Sequence, residues 1–223
     1  MVMNFIATHT DFIYDGRFKE AIIVDGNECK KTYTIPVMHE NDFPSHYTKL
    51  HDSYAELSRL NYIYKCLRSY WGKYVGFMQY KRMFNVPEEN IISILDNHGV
   101  ILPKPVTQSR DIIEAYGRYH CKDDILLATD IINEKFPEMK ADDIMHQKTL
   151  YPHNAFIMKS DMFEKYCKFI FSVFQEFDRR MYWNDINDWK ASGRQKKTHG
   201  FLGERISNVF YHHHFKHPYI ATM

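Results

Sequence analysis

The sequence predicts an α/β fold with a mixed, mostly parallel central sheet flanked by helices. Three observations predict it. Short apolar runs of strand length stand at Asn4 to Thr8, Tyr74 to Met78, Val100 to Leu102 and Ala155 to Met158. Longer stretches with helical spacing separate most of them, and such alternation favours a sheet with helices on its faces. The chain has 223 residues, of which 44% are hydrophobic and 26% charged, so one medium domain can bury its own core. A single domain over 1–223 is expected.

Taken in order, Asn4 to Thr8 opens the sheet and is followed by a polar turn. Lys31 to Met38 is β-branched and aromatic enough for a second strand, and Pro36 makes it an edge or an ending. The spacing predicts a polar loop over 39–53 and a helix over 54–70, with Ser53 as N-cap and Glu56 at capping-box distance. A structural role for Glu56 as cap partner and a ligand role stand level on this pattern.

The strand at Tyr74 follows. A helix is expected over 87–97, with Pro87 in its first turn and Ile91, Ile92, Ile94 and Leu95 buried. Then comes the strand at Val100, stopped by Pro103. Residues 107–148 read as a helical insertion, with helices at Asp111 to Tyr119 and Asp123 to Phe136. After the Ala155 strand, Ser160 is placed as cap of a long helix reaching about Tyr182. A polar loop over 184–198 and a last helix over 200–212 complete the reading.

Composition excludes several classes. The formal net charge of +1 argues against a nucleic-acid binder. The four cysteines, Cys29, Cys66, Cys121 and Cys167, are far apart and fit reduced thiols in a cytoplasmic protein. The N-terminus lacks the pattern of a signal peptide, and no window reaches the roughly 18 apolar residues of a membrane span. The 13 histidines include the consecutive His212, His213 and His214, whose side chains point in different directions on a helix. No HExxH, Walker A, GxGxxG, GxSxG or DxD pattern occurs at a strand end. Asp123-Asp124 and Asp142-Asp143 fit a solvated helix face.

Two constellations can carry chemistry. Tyr74 to Phe84 reads YVGFMQYKRMF, an apolar strand ending in Tyr80, Lys81 and Arg82. Ligands in open α/β sheets bind at the carboxyl ends of strands, and Lys and Arg both hold phosphate oxygens. Cations pairing with nearby carboxylates on a solvated strand end are the competing reading. Glu204 with Arg205 offers a general base or an ordinary surface ion pair.

These residues resemble a bacterial capsular and exopolysaccharide biosynthesis family of glycosyltransferases, long catalogued as a domain of unknown function. The matches run in order along nearly the whole chain. They are Ala7-Thr8-His9-Thr10 for a Thr-His-Lys-like turn, Glu56-Leu57 through Lys65 for a Glu-Leu plus aromatic helix, and Tyr74 to Phe84 for a strand near YVGLCHYRRYF. Ile101 to Lys104 then matches an ILPK-like strand, Asn154 to Lys159 an N-x-FIMK strand, and Gly200 to Arg205 a GF-x-x-ER helix start. Gln79 stands where the family has His, and Lys81 where it has Arg.

The resemblance implies a GT-A-like nucleotide-diphospho-sugar transferase. Such an enzyme moves a sugar, from a UDP-sugar in the first instance, to a hydroxyl of a surface polysaccharide or lipid-linked glycan. It places Thr8, His9, Tyr80, Lys81, Arg82, Lys104 and Arg205 at the donor, His153, Asn154 and Glu56 at the sugar or acceptor, and Glu204 as base or acceptor-orienting group. Lys81 and Arg82 would occupy the place of a metal-binding DxD, so a divalent metal (Mn or Mg) is expected not to be required. Peripheral association with the inner membrane face is part of the same expectation. An inactive sugar- or nucleotide-binding protein on this scaffold is the alternative.

Overall fold

The computed structural model describes residues 1–26, 30–43, 45–183 and 186–223, the side chain of Ile186 excepted; the expectations for Cys29 and for Asn184 lie outside them. From the N-terminus the chain forms β1 (Val2–Thr8), β2 (Ala21–Asp25), β3 (Val37–His39), α1 (His46–Lys49), α2 (His51–Tyr54) and α3 (Glu56–Cys66). It continues through β4 (Tyr74–Gln79), α4 (Glu88–His98), β5 (Val100–Pro103), β6 (Val106–Thr107), α5 (Ile112–Gly117), α6 (Lys122–Lys135) and α7 (Ala141–Met145). The remainder is β7 (Thr149–Leu150), β8 (Phe156–Lys159), α8 (Ser160–Met181), α9 (Ile186–Ala191), α10 (Thr198–His214) and β9 (Tyr219–Ala221).

Among the described residues the main sheet has seven strands in the order β3-β2-β1-β4-β8-β5-β9. All neighbours pair in parallel except β8, which runs antiparallel to both β4 and β5. The reversal of β8 places the residues leading into it beside the carboxyl ends of β1 and β4. The mixed, mostly parallel sheet is thus the expected one.

Every residue of β1 and β2 is buried, as parallel strands covered on both faces require. One face carries α3, α6, α8 and α10 over Phe5, Leu57, Phe77, Phe156, Phe174 and Ile206. The other carries a smaller cluster of Ile6, Phe18, Phe84, Ile91, Leu95 and Ile157 under α4.

Several local expectations are corrected. The second central strand is Ala21–Asp25, four apolar residues closed by the buried Asp25. Of the 31–38 segment only its end is strand, the three-residue edge β3 that follows Pro36. Residues 39–53 are not a loop throughout, because Ser45 caps α1 reciprocally with Thr48 and α2 follows at once. Ser53 does not cap α3; its hydroxyl faces the His199 ring, and Ala55 breaks the helix with φ 51°. Ile92 is exposed, since only Ile91 and Leu95 of α4 point inward fully. Ser160 donates to the Gly72 carbonyl instead of capping α8. Asp124 is buried and meets Arg194, so it is no solvated face. The 184–198 segment contains α9, pinned by the buried Trp189.

Residues 107–148 are largely helical, closed at their base by the β6–β7 ladder. Cys167 is buried, and Cys66 and Cys121 are half-buried free thiols.

Candidate active site

A cleft of about 300 Å³ opens at the carboxyl ends of β1 and β4, between the start of α3 and the lysines before α10. Its walls include Thr8, His9, Glu56, Arg59, Tyr80, Lys196 and Lys197. Thr8 is buried and shapes the turn itself: its hydroxyl donates to the Thr10 carbonyl at 2.6 Å and accepts the Thr10 N–H at 3.2 Å. That turn leaves His9 exposed, with its ring 5.4 Å from Tyr80 in an edge arrangement. Tyr80 also packs on Phe12, and Lys81 Nζ lies 5.3 Å from its ring centre. At the end of β2, Gly26 carries no Cβ, and one there would run into the Arg59 guanidinium. The glycine therefore lets Arg59 lie buried against the chain.

A second group stands beside the cleft. His153 and Asn154 both have positive φ, 78° and 47°, just before β8. Backbone held in this region by non-glycine residues costs on the order of 1–3 kcal/mol and collects at functional sites. Of the six non-glycine residues with positive φ among the described residues, Ala55, His153, Asn154 and Lys197 all lie around this region.

The strained pair has definite partners. The His153 N–H donates to Glu204 Oε1 at 2.6 Å, and Arg82 donates to the His153 Nδ1 at 3.0 Å. The same Nδ1 lies 3.6 Å from Glu204 Oε1, so the ring stands between a cation and a carboxylate. Gln79 donates to the His153 carbonyl at 3.3 Å. Asn154 donates to Glu56 Oε1 at 2.8 Å and to the Gly200 carbonyl at 3.1 Å, while its own buried Oδ1 has no partner among the described residues. Gly203 makes the arrangement fit: a Cβ there would press on Leu57, so α10 can approach α3 closely and present Glu204.

The two carboxylates sit in opposed environments. Burial raises the Glu56 carboxyl above the usual range, and the Asn154 hydrogen bond offsets this only in part. Burial also pushes Glu204 up, but the His153 contacts and the Arg205 charge outweigh it and hold the group below its ordinary value. Arg205 donates to Glu204 Oε2 at 2.5 Å and lies 5.6 Å from the Tyr116 ring centre.

Tyr116 leads to a second hollow of about 350 Å³, between the α5–α6 region and residues 192–198. There the His120 ring is sandwiched at 4.5 Å from Tyr116 and 4.4 Å from Phe201. Burial, helped by the Arg205 charge, pushes His120 down to about 4. Tyr119 is exposed at the rim.

Most of the expected site residues thus fall into two sets. Thr8, His9, Glu56 and Tyr80 line the cleft, and Arg82, His153, Asn154, Glu204 and Arg205 form the adjoining network. Lys81 is exposed beside Tyr80. Lys104 lies apart, exposed at the end of β5, where its N–H donates to the Ala221 carbonyl, and it lines neither hollow.

Sequence reasoning missed Arg59, Lys196 and Lys197. Arg59 is three residues after Glu56, a spacing that puts both on one helix face, and Lys196-Lys197 stands two residues ahead of the GF-x-x-ER segment. Among the described residues no three His, Cys, Asp or Glu side chains cluster closely enough to hold a metal ion. No described helix is long and apolar enough to cross a membrane.

With this geometry in place, comparison with solved structures is informative about the fold. The chain resembles the apo structure of the bifunctional glycosyltransferase WbbM, with a TM-score of 0.75 over 95% of this chain and 42% of that one, at 19% identity. The chain therefore spans less than half the length of that protein. The GT-A-type fold follows from this likeness. Core-mannan synthase A from Aspergillus fumigatus, in a Mn/GDP form, gives a TM-score of 0.39 at 11% identity over 94% of this chain and 69% of that one. The mannosyltransferase Ktr4p from S. cerevisiae in complex with GDP gives 0.39 at 11% identity over 92% and 66%. No curated protein matches the chain. Residues 5–215 match the family described as Domain of unknown function (DUF4422), and the chain belongs to that family.

Proposed function

We propose that the protein is a glycosyltransferase that moves a sugar from a nucleotide-sugar donor to a hydroxyl of a surface glycan or lipid-linked acceptor. The observation that carries this reading is the pair Glu56 and Glu204. Their environments push them in opposite directions on two sides of one strained segment, His153-Asn154. Divergent carboxylates of this kind mark acid/base assignments. The GT-A-type fold shared with a bifunctional glycosyltransferase supports the same class.

The donor diphosphate lies at the mouth of the cleft, where Lys196 and Lys197 supply positive charge and Lys81 and Arg82 stand beside it. Fixed cations stabilise the charge that develops on a departing nucleoside diphosphate. The acceptor hydroxyl approaches from the aromatic hollow at Tyr116, Tyr119 and His120. Its oxygen forms a bond to the anomeric carbon. The bond from that carbon to the diphosphate oxygen breaks, and the leaving nucleoside diphosphate keeps the electron pair.

The hydroxyl proton passes to Glu56, the carboxylate with the higher proton affinity and a place in the cleft wall. Of the two roles expected for Glu204, orientation suits it better, because its oxygens are engaged by the His153 N–H and Arg205. Transfer proceeds without a divalent metal.

The test is donor turnover with a panel of UDP- and GDP-sugars. Glu56→Gln should lower it about 100-fold or more, and EDTA should leave the wild-type rate unchanged. Unchanged turnover in Glu56→Gln would remove the assigned base. Loss on EDTA treatment with recovery on adding manganese would overturn the metal-free route. A wild-type chain that binds donors without turning any over would favour an inactive binding protein.

A further inference from the structure

Two consecutive residues hold the two carboxylates of the site. His153 gives its backbone N–H to Glu204 Oε1 at 2.6 Å, and Asn154 gives its side-chain amide to Glu56 Oε1 at 2.8 Å. Both residues have positive φ just ahead of β8, and this turn sends one donor to α10 and the next to α3. Asparagine is one of the few side chains that adopt this backbone region readily. Asn154 is 3% exposed, too buried to meet a substrate itself.

The amide is fully committed. Nδ2 donates to Glu56 Oε1 and to the Gly200 carbonyl, while Oδ1, beside Gly203, has no partner among the described residues. Turned the other way, the amide would set its oxygen against those same two acceptors. A buried oxygen is costly to leave unpaired, so this orientation is kept for the two bonds that Nδ2 makes.

We propose that Asn154 is a positioning residue for Glu56, holding one carboxylate oxygen so that the group stays ionised and aimed to take the proton of the acceptor hydroxyl. This role rests on Glu56 as the base of the transfer proposed above. The charges around Glu56 nearly balance. Arg59 on the same helix and Lys196 and Lys197 before α10 are positive, whereas Glu204 of α10 and Asp52 of α2 are negative, and Lys196 lies 4.0 Å from Asp52. His9, His51 and Tyr80 complete the cleft wall, and the buried Tyr166 of α8 also feels the carboxylate. Burial acts against the ionised form, and the Asn154 amide is the strongest group acting for it, ahead of the Glu56 N–H and Arg59. A donor to the ionised carboxylate lowers its proton affinity. Removing that donor must raise it.

The experiment is carbon-13 titration of the glutamate carboxyls in the wild type, Asn154→Gly and Asn154→Asp, with the Glu56 signal identified by its absence from Glu56→Gln. The pH profile of donor turnover is measured on the same proteins. Glycine accepts the left-handed backbone and removes the donor. Aspartate keeps the size and replaces the donor by a second carboxylate. Circular dichroism and thermal melting confirm that each is folded. The Glu56 midpoint should rise by about one pH unit in Asn154→Gly and by more in Asn154→Asp. The acid limb of kcat should move up with it, so that turnover lost at lower pH returns as the pH is raised, with the donor KM changed by less than about twofold.

An unmoved midpoint and limb in both folded variants would overturn the role and leave Glu56 as base. A uniform loss of turnover at every pH, with the midpoint unmoved, would make Asn154 a packing residue only and overturn it as well. A Glu56→Gln chain that turns donor over at the wild-type rate would remove the base, and this role with it. A wild type without turnover on any donor would sink the transfer reading and this role together.

Discussion

Two histidine–carboxylate clusters hang from the same helix, and they have opposite fates. Toward one side, His199 of α10 donates from Nε2 to Asp178 Oδ1 at 2.7 Å, and its Nδ1 lies 2.5 Å from the Ser53 hydroxyl. Asp178 also receives Tyr54 OH at 2.7 Å and lies 2.8 Å from His46 Nε2. Tyr54 and His199 stack at 4.0 Å. Toward the other side, Glu204 of α10 meets His153, Arg82 through that ring, and Arg205. Ser53, His199 and Asp178 have the composition of a nucleophilic triad, but all three are buried, with Ser53 and His199 at 0% exposure. No substrate reaches them. The Glu204 cluster is part-exposed, strained at His153-Asn154, and next to polar atoms without partners. The same residue types thus make a lock whose bonds are closed and whose solvent contact is confined to its rim at His46, and a site where bonds are left open at a cleft.

The comparison can be broken most forcefully at Asp178. Asp178→Ala would leave His199, Tyr54 and His46 facing a gap, and a buried network missing its acceptor loses about 3–5 kcal/mol. Urea denaturation should show that loss; a change under 1 kcal/mol would mean the cluster is no lock.

Acid sharpens the same point. Burial pushes Asp178 up, but the His199 charge and the hydrogen bonds from His199, His46 and Tyr54 carry it down to about 2. The ordinary aspartate value is about 3.9. The carboxylate's contribution is therefore complete above about pH 4 and lost as pH falls toward 2, about 2–3 kcal/mol in all. Melting followed from pH 5 to pH 2 should show a steeper decline in the wild type than in Asp178→Asn. Parallel curves would contradict the assignment.

The smallest expected effect on the fold is at the open cluster. Glu204→Gln keeps an acceptor for the His153 N–H but loosens Arg205. Turnover should fall about 10- to 100-fold through misplacement, with stability changed by less than about 1 kcal/mol. A large stability loss with normal specific activity of the folded fraction would reverse the roles of the two clusters.

Much of this was legible from residues alone. The apolar runs at Asn4, Tyr74, Val100 and Ala155 gave strands because a strand buried on both faces needs little else. Ala21–Asp25 escaped because four apolar residues in a row, Ala21 to Val24, carry no period that separates strand from buried helix. Glu204, Arg82 and His153 were singled out by type and motif, but their meeting depends on the reversed direction of β8, a tertiary fact. Arg59 was hidden for a related reason. An arginine on a helix usually reaches solvent, and only the missing side chain at Gly26, 33 positions earlier, turns this one into a buried donor. Lys104 shows the converse, a motif residue at a strand end whose strand is separated from β4 by β8.

One consequence of α10 concerns inactivation by heat. His199 and Glu204 are five residues apart, so they project from the helix in different directions and tie one rigid rod to two neighbourhoods at once. Sliding or unwinding its first turns withdraws Glu204 from His153 and opens the Asp178 cluster in the same movement. The midpoint for loss of turnover should therefore coincide with the midpoint for loss of tertiary signal, with no temperature range in which the chain is folded yet inactive.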